Sequence, residues 1–273
     1  MSRVREPVTA RLPALLALAL PVLAGLAYMA SFGASSAYLA ITTAALVVAL
    51  ALVAAVPQGL TAAKTRRIAA IVCAALLLVP LVTGPHMNGI ARWLPLGPVT
   101  LNSGLLVLPL LARLSAQDQD YGHWMLAAAL LAALLQPDAA ATFAVTIAAV
   151  GLHHVTKDWR AGVVAILGFG ATIYAGLNGE LPPVPFVERV LVQAAGDSGP
   201  FALLLFVALM TSFMLMLFAG PGTRAERFAL AGSLFGFAVM AAVNNYPTPL
   251  IGYGAAPIIG YAVALAWPEG ARR

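Results

Sequence analysis

Charge is what this sequence has least of. Only 9% of its 273 residues are Asp, Glu, Lys or Arg, where a soluble domain carries about a quarter. A chain that is 62% hydrophobic has more apolar surface than a water-soluble core can hide. The shortage of charge therefore excludes a soluble globule and makes a lipid bilayer the solvent. Cysteine is nearly missing too: Cys73 stands alone in an apolar run, which excludes an intramolecular disulfide. No soluble domain, low-complexity tail or repeat of 20–50 residues interrupts the pattern. The net charge of +5 does not describe a nucleic-acid surface, because the basic residues fall in short clusters between apolar runs. That distribution is what orients a chain in a membrane.

What is present is a series of long apolar runs. A spanning helix needs about 20 such residues, fewer where neighbours shelter its ends. The runs at 12–32, 36–56, 68–84, 161–178, 200–219, 227–244 and 250–267 meet this, and a shorter one lies at 101–115. The stretch 124–152 would be about 43 Å long as one helix, too long for a bilayer core of roughly 30 Å without strong tilt. Gln136-Pro137-Asp138 stands in its middle, a helix-stopping proline followed by a good N-cap residue. Basic residues decide between one kinked span and two short ones. With two, the chain has ten spans, and of the 15 Lys and Arg only Arg92 and Arg189 lie opposite the termini. With one, every later loop changes side and the division becomes nearly even. The positive-inside rule selects ten spans with both termini cytoplasmic. The first apolar run exceeds the 7–15 residues of a signal-peptide core and reads as an uncleaved span. The expectation is an all-α integral membrane protein, one polytopic domain over 1–273, with short re-entrant or interfacial external loops.

This topology gathers four polar elements outside: "NGIARWLPLGPVTLNS" (88–103), the Gln136-Pro137-Asp138 turn, "NGELPPVPFVERVLVQAAGDSG" (178–199) and "NNYPTPLIGYG" (244–254). All four external acids, Asp138, Glu180, Glu188 and Asp197, fall within them, as do both external arginines. Irregular backbone of this kind belongs where it is wet, buried in protein or lining a cavity. Few charges interrupt the spans, which counts against a transport path.

The order of these motifs resembles the SEDS family (shape, elongation, division and sporulation), the FtsW-, RodA- and SpoVE-like polytopic proteins. The family motif N-G-A-R-R-W-I-x-L-G-P corresponds to Asn88-Gly89-Ile90-Ala91-Arg92-Trp93-Leu94-Pro95-Leu96-Gly97-Pro98, followed by Asn102 and Ser103. L-Q-P-D corresponds to Leu135-Gln136-Pro137-Asp138, an L-P-E-A-H-T-D-F-like stretch to 181–188, and a P-F-V-S-Y-G-G-S-S-like stretch to 249–257. The resemblance covers essentially the whole chain. It implies a protein of bacterial peptidoglycan synthesis, cell shape or cell division in the inner (cytoplasmic) membrane. Such a protein polymerises a lipid-linked peptidoglycan precursor on the outer face, beside a class B penicillin-binding protein. The implied activity is peptidoglycan glycosyltransferase on a polyprenyl-pyrophosphate donor. Two alternatives stand beside it: an inactive scaffold or regulator of the same fold, and a transporter of a lipid-linked substrate.

On this resemblance Glu188 and Asp138 are the candidate catalytic acids, and Arg92, Trp93, Asn88, Ser103 and Tyr253 the candidate substrate-binding residues. The departures are polar. Aligned without a gap, the acid of the loop before span eight falls on Val187 and that of L-P-E on Pro183, leaving Glu188 one position late. Each residue also has a plainer account: Asp138 as an N-cap, Arg92 with Trp93 as an interfacial anchor, Glu188 solvated on an amphipathic surface segment, Tyr253 as packing. No nucleic-acid partner and no cofactor is indicated. Metal-ligand spacing is lacking, so a divalent cation has no legible site. Membrane lipids are the remaining expected partners.

Overall fold

The computed structural model describes residues 8–57, 59–87, 90–97, 99–179 and 181–270. Among them the chain forms eleven α-helices: α1 (Val8–Ser31), α2 (Ser36–Ala55), α3 (Ala63–Thr83), α4 (Ser103–Gln117), α5 (Gly122–Leu135), α6 (Ala139–Thr156), α7 (Trp159–Asn178), α8 (Val190–Asp197), α9 (Gly199–Met214), α10 (Arg224–Val243) and α11 (Ala255–Ala266). A π-helical turn, Leu215–Ala219, prolongs α9. Seven of these elements are long and apolar enough to cross a membrane, and α4, α5 and α11 are shorter apolar helices. The molecule is thus an all-α, multi-pass membrane protein.

In so apolar a chain the polar residues are spent at helix ends, where four backbone N–H groups lack intrahelical partners. Asn102 accepts from Leu105 N (2.9 Å) to start α4, and Asp138 accepts from Ala141 N (3.0 Å) to start α6. Asp158 starts α7, and Thr223 with Glu226 closes a capping box on α10. Gln136-Pro137-Asp138 therefore breaks 124–152 into α5 and α6, as the sequence predicts.

Small residues let the helices meet backbone to backbone. A Cβ on Gly236 of α10 would lie 2.6 Å from Ala144 Cα of α6, and one on Gly232 would lie 2.7 Å from the Ile147 carbonyl. One turn further along, Gly151 of α6 faces the Phe228 carbonyl in the same way. The α6–α10 seam is the centre of the bundle.

Two helices start five residues away from where the sequence reading put them. Helix α3 starts at Ala63 rather than 68, so Lys64, Arg66 and Arg67 lie on it. Helix α11 starts at Ala255 rather than 250, because 249–254 turns, with Gly254 at a φ of +143°. The amphipathic stretch after Glu188 forms the short α8. Two pairs of strands complete the chain: β1 (Leu60–Thr61) runs parallel to β4 (Glu269–Gly270), and β2 (Trp93–Leu96) runs antiparallel to β3 (Val99–Asn102). The second pair is a hairpin that turns at Gly97, φ +61°.

Candidate functional site at the hairpin end of the bundle

The hairpin, the α5–α6 turn, the segment 181–189 and the segment 244–254 come together at one end. Arg92 immediately precedes β2, and its carbonyl accepts from Ser103 N at 2.9 Å, which closes the hairpin onto α4. Its side chain points inward and is only 1% exposed. Nη1 stands 3.9 Å from Asp138 Oδ1, a carboxylate itself 2% exposed. Tyr246 forms the floor: the guanidinium carbon lies 4.8 Å from its ring centre and 5.0 Å from that of Trp93. Both are within cation–π range. The Tyr246 hydroxyl accepts from Ala139 N (3.1 Å) and donates to the Gly179 carbonyl (3.5 Å). Burial, and then the Asp138 carboxylate, push the Tyr246 phenol up, so it stays a protonated donor.

Arg92 is nonetheless unsatisfied. Among the described residues, neither its Nε nor its Nη1 has a hydrogen-bond acceptor, although both atoms are buried. A buried guanidinium with free donors is costly and matches an anion that brings its own acceptor oxygens.

Glu188 reaches the same place from the other side. It pairs with Pro247 in an isolated antiparallel bridge, and Arg189 N donates to the Tyr246 carbonyl at 3.3 Å. Thr248 ties the two segments further, donating from N to the Val187 carbonyl (2.9 Å) and accepting at Oγ1 from Val190 N (3.0 Å). The Glu188 carboxylate accepts from Val184 N at 2.7 Å. Burial raises its pKa, opposed by that hydrogen bond and by the positive charge of Arg92. The balance is a carboxyl above its ordinary range.

The remaining predicted residues divide. Trp93 lies against Arg92. Ser103 is fully buried; its Oγ is 3.5 Å from Gln136 Oε1, and Gln136 Nε2 donates to the Leu77 carbonyl. Ser103 thus belongs to the wall that joins α3, α4 and the α5–α6 turn. Tyr253 faces elsewhere, stacking on Tyr38 with ring centres 3.8 Å apart and planes 8° from parallel. Asn88 lies outside the described residues. Asp138 caps α6 and pairs with Arg92 at once.

Two residues outside the candidate catalytic and binding set complete the arrangement. Tyr246 is its hub, signalled only by "NNYPTP", and Arg189 holds a left-handed φ of +53° with a buried Nε that has no acceptor among the described residues. Among the described residues, no three His, Cys, Asp or Glu side chains gather as metal ligands would.

The opposite end carries a second buried polar cluster. Arg113, fully buried, pairs with Glu226 at 2.9 Å and donates to the Ala264 carbonyl at 2.6 Å. Gln117 donates to the same carboxylate and to the Pro268 carbonyl. Nearby, Arg67 pairs with Asp118 at 2.7 Å, and the Asp118 carboxylate is buried.

No protein-family model matches the sequence, and no curated protein sequence matches it. Solved structures do match. An aspartate-to-alanine variant of the Thermus thermophilus rod shape determining protein RodA is similar at a TM-score of 0.65 with 20% identity, over 93% of this chain and 95% of that one. The unsubstituted RodA gives 0.60 with 17% identity, over 93% and 94%. A structure from a peptidoglycan synthase complex that coordinates polymerization and crosslinking gives 0.57 with 17% identity, over 96% and 97%. The chain has the RodA fold across nearly its whole length.

Proposed function

We propose that this is a SEDS-type protein of the bacterial cytoplasmic membrane, with ten spans and both termini inside, that polymerises a lipid-linked peptidoglycan precursor on its outer face. One observation carries the reading: a buried arginine with unsatisfied donors stands close enough to Glu188 for its charge to act on that carboxyl, at the end of the bundle where the hairpin, the α5–α6 turn and the segments 181–189 and 244–254 meet. In this reading Arg92 holds the diphosphate of the donor. Glu188 takes the proton from the acceptor hydroxyl as that oxygen attacks the anomeric carbon. The bond from that carbon to the diphosphate breaks, and the polyprenyl diphosphate leaves with the electron pair. A carboxylate more basic than usual suits this role, and preorganised donors suit a departing anion. Asp138 and Tyr246 position Arg92. The RodA fold over the whole chain supports the assignment to envelope synthesis.

A second reading, an inactive scaffold of the same fold, rests on the near-complete burial of Arg92 and Asp138 and on the motif acids replaced by Pro183 and Val187. The purified protein, alone and with a class B penicillin-binding protein, separates the two when supplied with lipid-linked disaccharide-peptide. Glycan chains that fall at least a hundredfold in Glu188→Gln and in Arg92→Ala support the enzyme. Stable co-purification with the partner and no polymer under any condition establishes the scaffold instead.

A further inference from the structure

Helix α3 opens with Ala63-Lys64-Thr65-Arg66-Arg67, three cations among its first residues. The N-terminal end of a helix carries a partial positive charge, so cations are disfavoured there and anions favoured. Ala62 occupies the N-cap and has no side-chain oxygen, which leaves the first-turn N–H groups without a side-chain acceptor. Arg67 is answered by Asp118 at 2.7 Å and by Asp120 at 3.5 Å. Among the described residues, no carboxylate pairs with Lys64 or Arg66.

Arg66 folds back over this end of the helix. It is only 5% exposed, and its Nη1 donates at 2.5 Å to the carbonyl of Thr61, the residue before the N-cap. Gly270 of β4 backs the guanidinium: a Cβ there would stand 3.4 Å from Nη1. The Nε is buried and has no acceptor among the described residues. A buried guanidinium with a free donor, held at a helix end whose N–H groups are unmet, fits an anion with several acceptor oxygens, such as a phosphate.

The neighbouring surface identifies the source of that phosphate. Lys64 is exposed, and Ile68, Ile71 and Val72 follow it on the same helix face, each at least 51% exposed. From Lys64 to Val72 this face runs about 12 Å along the helix axis. On a spanning helix such a face meets acyl chains, and free phosphate makes no use of it. We infer that the N-terminus of α3 binds the phosphate of an anionic phospholipid through Arg66, Lys64 and the first-turn N–H groups, with the acyl chains along Ile68, Ile71 and Val72. Two cations without a counter-charge select a headgroup of net negative charge over a zwitterionic one. The site lies at the end of the bundle opposite Arg92. Assigning it to the cytoplasmic leaflet rests on the topology proposed above; the site itself does not.

The full-length protein in a nonionic detergent is titrated with phosphatidylglycerol and, separately, with phosphatidylcholine, and bound lipid is read by native mass spectrometry. Phosphatidylglycerol binds at least fivefold more tightly. Arg66→Gln, which keeps a donor for the Thr61 carbonyl but removes the charge, weakens its binding at least fivefold. Ala62→Asp places a carboxylate at the N-cap, where it takes the same N–H groups and answers Arg66. It weakens phosphatidylglycerol binding to a similar degree while the unfolding midpoint is unchanged or raised, so loss of the lipid there is not loss of the fold. Arg224→Gln, at an exposed cation that starts α10 at the same end, changes binding less than twofold. Unchanged phosphatidylglycerol binding in both Arg66→Gln and Ala62→Asp overturns the inference. Equal affinity for the two lipids overturns it too, as does an equal loss in Arg224→Gln, which shows diffuse attraction to charge. Full displacement of the lipid by inorganic phosphate or glycerol phosphate shows a site for the free anion and overturns the lipid assignment. No arm reads polymerisation, so this inference and the proposed function fail separately.

Discussion

Asp138 has two duties that can be separated by substitution. As an N-cap it accepts from Ala141 N, and Asn at that position does this almost as well as Asp. As an anion it faces Arg92 at 3.9 Å, with both side chains at most 2% exposed. Two unit charges about 4 Å apart attract by about 4 kcal/mol at an effective dielectric near 20, and removing one partner of a buried pair costs about 3–5 kcal/mol. Asp138→Asn therefore keeps the cap yet destabilises the protein by about 3–5 kcal/mol, because Arg92 is left charged and buried. Asp138→Ala costs about 1 kcal/mol more, the worth of the cap. Neutralising both partners, Arg92→Met with Asp138→Asn, returns most of the loss, so the cycle has a coupling energy of about 3 kcal/mol. Reversible denaturation in detergent micelles, followed by circular dichroism, measures the wild type, Arg92→Met, Asp138→Asn and the double variant, with Asp138→Ala beside them. A coupling below about 0.5 kcal/mol, the ordinary limit of additivity, refutes the claim that the two charges answer one another.

Three further outcomes follow from other parts of the molecule. Gly236→Ala presses a methyl group into the backbone of α6 and lowers stability by about 1–3 kcal/mol, read as a fall in the midpoint of the same denaturation, while Gly170→Ala, where nothing lies within 4 Å, leaves it unchanged or raised. At the opposite end, Glu226→Ala strands Arg113 and removes the α10 capping box; it lowers stability by about 3–5 kcal/mol, whereas Arg113→Met with Glu226→Leu recovers at least half. Because burial raises the Glu188 pKa in the folded protein, folding favours its protonated form. Its contribution to stability is fully present below the ordinary carboxylate range and is lost as pH rises through the raised value. On the function proposed above, polymerisation would have the opposite dependence, rising with pH as the base ionises, and Glu188→Gln would flatten the stability profile and abolish that activity.

The architecture was legible because each of its signals is local or additive. Apolar length gives the helices, Gln136-Pro137-Asp138 gives the α5–α6 break, and the uneven spread of Lys and Arg predicts that four polar loops share one end. The 3.9 Å approach of Arg92 to Asp138 shows those two loops at the same end of the bundle. Depth was not legible. Arg92 follows Ala91 and precedes Trp93, the dress of a surface anchor, and only the closing of the hairpin onto α4 turns its side chain inward. Arg113 and Glu226 are far apart in the chain and sit at the ends of predicted runs, so neither reads as buried until α4, α10 and α11 are packed. Tyr253 carried a motif resemblance, but Tyr246 holds the place beside Arg92, because 249–254 turns before α11 begins.

The two buried clusters differ in a way that favours ligand binding over simple anchoring as the account of Arg92. At the opposite end Arg113 is answered within hydrogen-bonding distance by Glu226 and by the carbonyls at the end of α11, with only its Nη2 lacking an acceptor among the described residues, so its charge joins three helices. Arg92 is as deeply buried, yet its carboxylate stands beyond hydrogen-bonding distance and two of its nitrogens have no acceptor among the described residues. A purely structural arginine gains from the tighter arrangement, which the same fold provides elsewhere. Holding Arg92 short of Asp138, over the face of Tyr246, keeps its donors available at a cost in stability. A charge-neutral, shape-preserving pair at positions 92 and 138 should accordingly be tolerated by the fold and lost to function, whereas the same exchange at positions 113 and 226 should spare function once the fold is recovered.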